Sequence, residues 1–142
     1  MSYRFPSVEW TNAYREAINA NQAYREAAQD WTHGIVAMVV EKEPSVGLAE
    51  SMALHLDVER GKCRSCLLVK ADEVHDASFV IVGTYAQWKQ VVKKEIDPIK
   101  AMLQGKLQLV KGHMPTIIKY VKASKELVAS IACVPTQFPD ES

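Results

Sequence analysis

Long hydrophobic runs and an excess of charge of either sign are both absent from this sequence of 142 residues. The longest apolar run, from Gly34 to Val40, is far shorter than the ~20 residues that a membrane-crossing helix needs. The first residues contain no apolar segment of the kind found in signal peptides. Seventeen basic residues balance seventeen acidic ones, so the chain lacks the positive charge that drives binding to nucleic acid phosphates. We therefore expect a cytoplasmic protein that binds no nucleic acid.

Cysteine is scarce, and the three present are an odd number that does not suggest a disulfide framework. Cys63 and Cys66 have the spacing of zinc and redox sites, but zinc needs about four ligands and no second pair follows. In the predicted strand that contains them, an offset of three residues places the two side chains on opposite faces of the sheet. This favours two ordinary cysteines without a chemical role. A metal or redox role is the alternative. The four histidines are scattered, and no P-loop, dinucleotide-binding glycine turn or Gly-x-Ser-x-Gly elbow occurs. The sequence thus predicts no metal, no cofactor and no catalytic residue.

The apolar pattern predicts helices at the start of the chain and strands in its middle. Ser7 is placed to cap a helix that begins at Val8, and a second helix follows a break at Asn19–Asn21. Four strands, most simply an antiparallel meander, are predicted over residues 35–40, 52–59, 62–69 and 79–82. Alternation in the second strand predicts a half-buried strand, with Ala53 and His55 on the face away from the core.

Helices return in the last third of the chain. Thr84 precedes one helix, and Asp97 with Pro98 is a strong start signal for the next. A fifth short strand is predicted from Lys106 to Lys111, and Pro115 opens a single last helix. The predicted fold class is α+β, with helices packed over one antiparallel sheet.

The length is typical of a single domain. We expect one domain over residues 1–142, with a core of about 7–131 and a loose tail over 132–142. Residues 89–125 carry nine lysines against Glu95 and Asp97, a charge of +7. This part of the chain could contact an anionic membrane surface, and the alternative is a set of solvated helix faces.

Apolar residues are concentrated in the same third, on short segments separated by glycines. Core packing must account for most of them. Methionines make adaptable walls, however, and short helices over a sheet can part to admit an apolar ligand. The candidate lipid-binding residues are Trp88, Ile99, Met102, Leu103, Leu107, Leu109, Met114, Ile117, Ile118 and Val121.

Four motifs in this third resemble those of the sterol carrier protein family. They are Tyr85-Ala86-Gln87-Trp88, Asp97-Pro98-Ile99-Lys100-Ala101, Gly105-Lys106-Leu107-Gln108-Leu109 and Lys111-Gly112. The resemblance extends over roughly residues 7–131, and Trp31 ahead of the first strand looks like the small prokaryotic members. It implies a five-stranded, mainly antiparallel sheet overlaid by helices that enclose an apolar tunnel.

The resemblance also implies a function. Family members bind or transfer sterols, fatty acids, fatty acyl-CoA or phospholipids and do no chemistry themselves. Trp88 and Ile99 would cover the tunnel, and Met102 and Leu103 would approach it. By the same resemblance, the fifth strand would contribute Leu107 and Leu109, and the last helix Ile117, Ile118 and Val121. His113 departs from the family pattern, which often has an acidic or amide residue there.

Two other functions stay open at the level of the sequence. One is an accessory subunit that presents a lipid-like intermediate to enzymes. The other, less favoured, is an acyl thioester hydrolase, because helices at both ends of the strands fit a hot-dog fold poorly. In all cases the expected partner is a lipid or another hydrophobic small molecule, and the sequence does not specify its identity or the oligomeric state.

Overall fold

The computed structural model describes residues 2–141; Met1 and Ser142, the ends of the expected domain, lie outside the described residues. The helices are α1 (Val8–Ala20), α2 (Gln22–Ala27), α3 (Tyr85–Val92), α4 (Pro98–Leu103), α5 (Met114–Lys119) and α6 (Val121–Ala129). The strands are β1 (Tyr3–Arg4), β2 (Val36–Val40), β3 (Met52–Glu59), β4 (Lys62–Lys70), β5 (Phe79–Gly83), β6 (Gln108–Lys111) and β7 (Thr136–Gln137). The α+β class is therefore confirmed.

Five of the strands form one sheet in the order β4-β3-β2-β5-β6. Three of the four pairings are antiparallel, but β2 and β5 run parallel, with Val36 opposite Phe79. The predicted meander is wrong at this pairing. The β3–β4 hairpin folds to one side of β2, and the following segment returns the chain to the other side. Both central strands are continuous apolar runs, a pattern typical of strands covered on both faces.

The helices cover one face of the sheet, and we call this the core face. Residues on the opposite face of the central strands are nevertheless buried, because the segment 71–78 crosses them and places Ala77 against Ala53 and Val80. His55 is also buried there, and its Nε2 lies 3.1 Å from Oδ1 of Asp76. The prediction of a half-buried β3 is therefore wrong at Ala53 and His55, because the segment 71–78 covers the face of the sheet that was expected to contact solvent.

A β-bulge changes the expected orientation of two cysteines. The register of β3 and β4 shifts so that Asp57 pairs with Ser65 while the next residue, Val58, pairs with Cys63. The extra residue reverses the alternation, and both Cys63 and Cys66 are buried on the core face. The predicted opposite orientation is wrong for this reason. Burial raises the pKa of the Cys63 thiol to about 11, which keeps it protonated at neutral pH.

The single helix predicted from Pro115 is two helices. The break is at Tyr120, where φ is −102° and ψ is 36°, outside the helical range. The Tyr120 side chain is fixed at this point, because its hydroxyl donates to the carbonyl oxygen of Asp30 (3.3 Å) and its ring packs edge-on against Trp31. Tertiary packing therefore overrides the helical pattern of the sequence.

The tail, predicted to be loose, is packed against the domain over its described residues. β7 pairs in parallel with β1, and the Phe138 side chain is buried. Lys89 Nζ lies 2.9 Å from Oδ2 of Asp140, and both Lys89 and Lys93 lie 2.6 Å from Oε2 of Glu141. The expectation failed because the tail's partners are distant in sequence.

Candidate functional site

A cavity of about 80 Å³ lies between the core face of the sheet and the helices. Its floor consists of alternate residues of the central strands, which point to one side because side chains alternate along a strand. These floor residues include Met38 on β2, Leu54 on β3 and Ile81 on β5.

Short helices form the roof. The Thr84 hydroxyl caps α3 by accepting a hydrogen bond from the backbone N–H of Gln87 (3.1 Å), and this helix presents Trp88 to the cavity. The Asp97 carboxylate caps α4 in the same way, accepting from the N–H of Ile99 at 2.8 Å. These two caps, of which the sequence predicted the one at Asp97, fix where the roof helices begin.

All three tryptophans of the chain line the cavity. Each indole N–H is satisfied by the protein: Trp10 donates to Thr136 Oγ1 (2.9 Å), Trp31 to the carbonyl of Gly34 (3.2 Å) and Trp88 to the carbonyl of Val39 (2.8 Å). These bonds hold the polar edge of each ring on the protein side. The aromatic surfaces therefore add apolar area to the wall.

The structure brings four of the ten predicted lipid-binding residues together on the cavity wall. They are Trp88, Ile99, Met102 and Ile117. Ile99 and Met102 are three positions apart on α4, the spacing that places side chains on one helix face.

The other six predicted residues do not line the cavity. Leu107 is fully buried beside Gly83, where a Cβ atom would overlap the Leu107 side chain. Leu109, Met114 and Val121 are half-buried at the edge of the core. Leu103 is 63% exposed and Ile118 is 47% exposed.

Sequence reasoning missed the contribution of the first third of the chain. Tyr24, Ala28 and Trp31 line the cavity together with Phe5 and Trp10. The sequence places Tyr24, Ala28 and Trp31 on one face of a predicted helix, although the helix itself ends at Ala27. Periodicity shows that a face is buried but does not show whether it meets other side chains or a void.

The side chains that line the cavity are mainly aliphatic and aromatic. Among the 24 described residues that line the cavity, none is Asp, Glu, Lys, Arg or His. Burial raises the pKa of Tyr24, so its hydroxyl stays neutral. Within residues 2–141, no group of three His, Cys, Asp or Glu side chains is placed to hold a metal ion. The arrangement is suited to holding an apolar molecule.

The cavity is smaller than such a molecule. Its 80 Å³ compares with about 150 Å³ in an engineered cavity that accepts benzene, and with about 300–1,000 Å³ in typical ligand pockets. A long-chain ligand would therefore have to separate the walls.

Comparison with known proteins agrees with the fold. The family model described as the SCP-2 sterol transfer family matches residues 12–125. A crystal structure of sterol carrier protein 2 is 33% identical, with 88% of this chain and 95% of that chain covered and a TM-score of 0.82. A conserved hypothetical protein from Thermus thermophilus is 32% identical, with 90% and 88% covered and a TM-score of 0.82.

A more distant neighbour shares the fold alone. The palmitated SCP2L2 of Aedes aegypti is 14% identical, with 80% of this chain and 92% of that chain covered and a TM-score of 0.50. A comparison with curated protein sequences finds no match. None of the helices described within residues 2–141 has the length and apolar character to cross a bilayer.

The matched region covers most of the chain and contains all four motifs that suggested the resemblance. On this family match, and on the identity and coverage of the solved structures, the chain belongs to the SCP-2 sterol transfer family.

Proposed function

We propose that this protein binds the hydrocarbon part of one lipid molecule between its sheet and its roof helices, and transfers it without chemical change. The observation that carries the proposal is the cavity wall, which has no charged side chain among its described residues and is built from all three tryptophans and from alternate residues of three strands. Fatty acids, fatty acyl-CoA, phospholipids and sterol-like molecules all supply such a hydrocarbon part. The part of the wall that the structure describes offers no acid–base pair, which favours carriage over thioester hydrolysis.

The energetics of burial are sufficient for binding. Each buried methylene contributes about 0.8 kcal/mol, so a long acyl chain contributes on the order of 10 kcal/mol. Ordering the chain and separating the walls would offset several kcal/mol of this. The result is micromolar affinity, which suits a protein that must also release its ligand.

The roof is the part of the wall best suited to move. α3, α4 and α5 are eight, six and six residues long. Helices this short are marginal by themselves and depend on packing for their stability. We infer that Trp88, Ile99, Met102 and Ile117 contact the lipid and shift with these helices when it enters.

The outer side of the same region is suited to a membrane surface. Leu103, Val110 and Ile118 are large apolar residues exposed to solvent. All three lie within the lysine-rich residues 89–125. Exposed apolar side chains among basic ones favour contact with anionic lipid headgroups, and we propose that lipid is exchanged there.

Titration with lipid tests the proposed function. Because every tryptophan lines the cavity, the intrinsic fluorescence should change saturably when oleate or oleyl alcohol is added, with micromolar midpoints. N-acetyl-tryptophanamide, titrated with the same lipids, is the control. A change in its emission would show that the lipid alters tryptophan fluorescence without binding to the protein. If neither lipid gives a saturable change, the proposal fails.

A further inference from the structure

Two residues on the cavity wall have a hydroxyl without a hydrogen-bond partner among the described residues, and Tyr24 is the more buried of them. Tyr24 is 3% exposed and lines the cavity, but within residues 2–141 its hydroxyl forms no hydrogen bond. The Tyr120 hydroxyl and the three indole N–H groups on the same wall all donate to protein oxygens. The Tyr24 oxygen is not among the fully buried unpartnered atoms, so part of its surface is accessible.

The position of Tyr24 is fixed by the packing of α2 against α6. At one end of this pair, Asn21 Nδ2 donates to the carbonyl oxygen of Glu126 (3.2 Å). At the other end, the Tyr120 hydroxyl donates to the carbonyl oxygen of Asp30 (3.3 Å). The helices are therefore antiparallel, and Tyr24 lies between two points at which they are joined by hydrogen bonds.

A second hydroxyl lies on the facing stretch of α6. Ser124 is half-buried, lines the cavity and, like Tyr24, has a side-chain hydroxyl without a hydrogen-bond partner among the described residues. Among the described residues, the unpartnered hydroxyls of this wall are thus on the α2–α6 pair and not on the roof helices.

The surroundings of these hydroxyls disfavour a charged ligand group. None of the 24 described wall residues carries a charge that could neutralise a carboxylate or phosphate. Burying such a group without a counter-charge is unfavourable, whereas an uncharged oxygen needs only a donor. Burial raises the pKa of Tyr24, so that donor is present at physiological pH.

We propose that the cavity selects an uncharged long-chain lipid, a fatty alcohol or ester, whose oxygen accepts a hydrogen bond from Tyr24. The inference rests on the proposed function and specifies the ligand class and its orientation. The polar end lies inside against α2 and α6, and the chain extends beneath the roof.

The test compares two variants that each remove one hydroxyl from the wall. Tyr24→Phe removes the unpartnered hydroxyl, and Tyr120→Phe, the matched control, removes one already bonded within the protein. The probes are 1-decanol, 1-chlorodecane and decanoate at pH 8, delivered from cyclodextrin and followed by tryptophan emission. Tyr24→Phe should weaken decanol binding about three- to tenfold and leave chlorodecane binding unchanged. Tyr120→Phe should leave the ratio of the decanol affinity to the chlorodecane affinity as it is in the wild type.

The outcomes separate this inference from the proposed function. Decanol should bind wild-type protein more tightly than decanoate does. If decanoate binds more tightly, or if Tyr24→Phe affects all three probes equally or none, the inference is overturned while the proposed function stands. If the wild type binds no probe, both fail.

Discussion

Neighbouring residues of one helix can face the cavity or the solvent, and this decides which side chains contact a ligand. Successive residues of an α-helix are about 100° apart around its axis. Ile117 lines the cavity, whereas Ile118 is turned outward. Both were predicted as lipid-binding from the same apolar pattern, and only one lies where a ligand in the cavity would touch it.

This difference supplies a matched pair of substitutions. Met102→Trp adds a large side chain to the cavity wall, where it should fill the space and lower lipid affinity at least about tenfold. Ile118→Trp makes a comparable enlargement on the exposed side and should leave affinity for free lipid unchanged. Tryptophan emission is altered by these substitutions, so calorimetric titration with oleate is the measurement. Equal affinities in the two variants would contradict the proposed position of the ligand.

The candidate site could be predicted only in part at this scale. Trp88, Ile99, Met102 and Ile117 belong to motifs and apolar stripes that are visible in the sequence. The Tyr24 hydroxyl could not be recognised in this way, because its lack of a partner depends on where residues from α6 and the sheet lie. Sequence periodicity identifies a buried face but not the hydrogen bonds available there.

At the scale of elements, the C-terminal segment depends on contacts distant in sequence. Asp140 accepts hydrogen bonds from Lys89 Nζ and from the Tyr85 hydroxyl (2.8 Å). These bonds hold the pKa of Asp140 below its ordinary value of 3.8, and bonds from Lys89 and Lys93 hold the pKa of Glu141 below 4.5. The segment therefore ties the chain end to the outer side of α3.

A pH dependence of stability follows from the direction of these shifts. A carboxyl group whose pKa is lowered by folding adds stability above its unfolded pKa, and that stability is lost as the pH falls through the folded value. The melting temperature should therefore be steady from about pH 6 to 8 and fall below about pH 4.5. The double variant Asp140→Asn/Glu141→Gln should melt at a lower temperature at pH 7 and lose less on acidification. Parallel acid curves for the two proteins would show that the segment does not contribute.

Local signals predicted where most elements begin, while long-range contacts determined how they pair. Ser7 and Asp97 cap helices as expected, and a helix follows Thr84 as expected, since such start signals involve only the next few residues. The bulge next to Cys63, the parallel pairing of β2 with β5 and the break at Tyr120 were not predicted. Each depends on contacts with residues far along the chain.

For the whole molecule, binding and stability are linked. A ligand that binds only the folded state at 100 times its dissociation constant adds about 2.7 kcal/mol, which corresponds to a melting temperature higher by on the order of 8 °C. Thermal unfolding with increasing oleyl alcohol should show this rise. Met102→Trp is the control and should show much less. A rise of equal size in both proteins would indicate binding outside the cavity.

The pairing of β1 with β7 has a mechanical consequence for a chain held at its two ends. The two strands are parallel, with Tyr3 opposite Thr136, and are joined by hydrogen bonds from Tyr3 N to the Pro135 oxygen and from Phe5 N to the Gln137 oxygen. Tension applied at the two ends pulls these strands in opposite directions along their own axes. The bonds are then loaded together in shear rather than opened one after another. This small clamp would have to rupture before the force reached the large sheet, so the interior stays intact until the ends have separated.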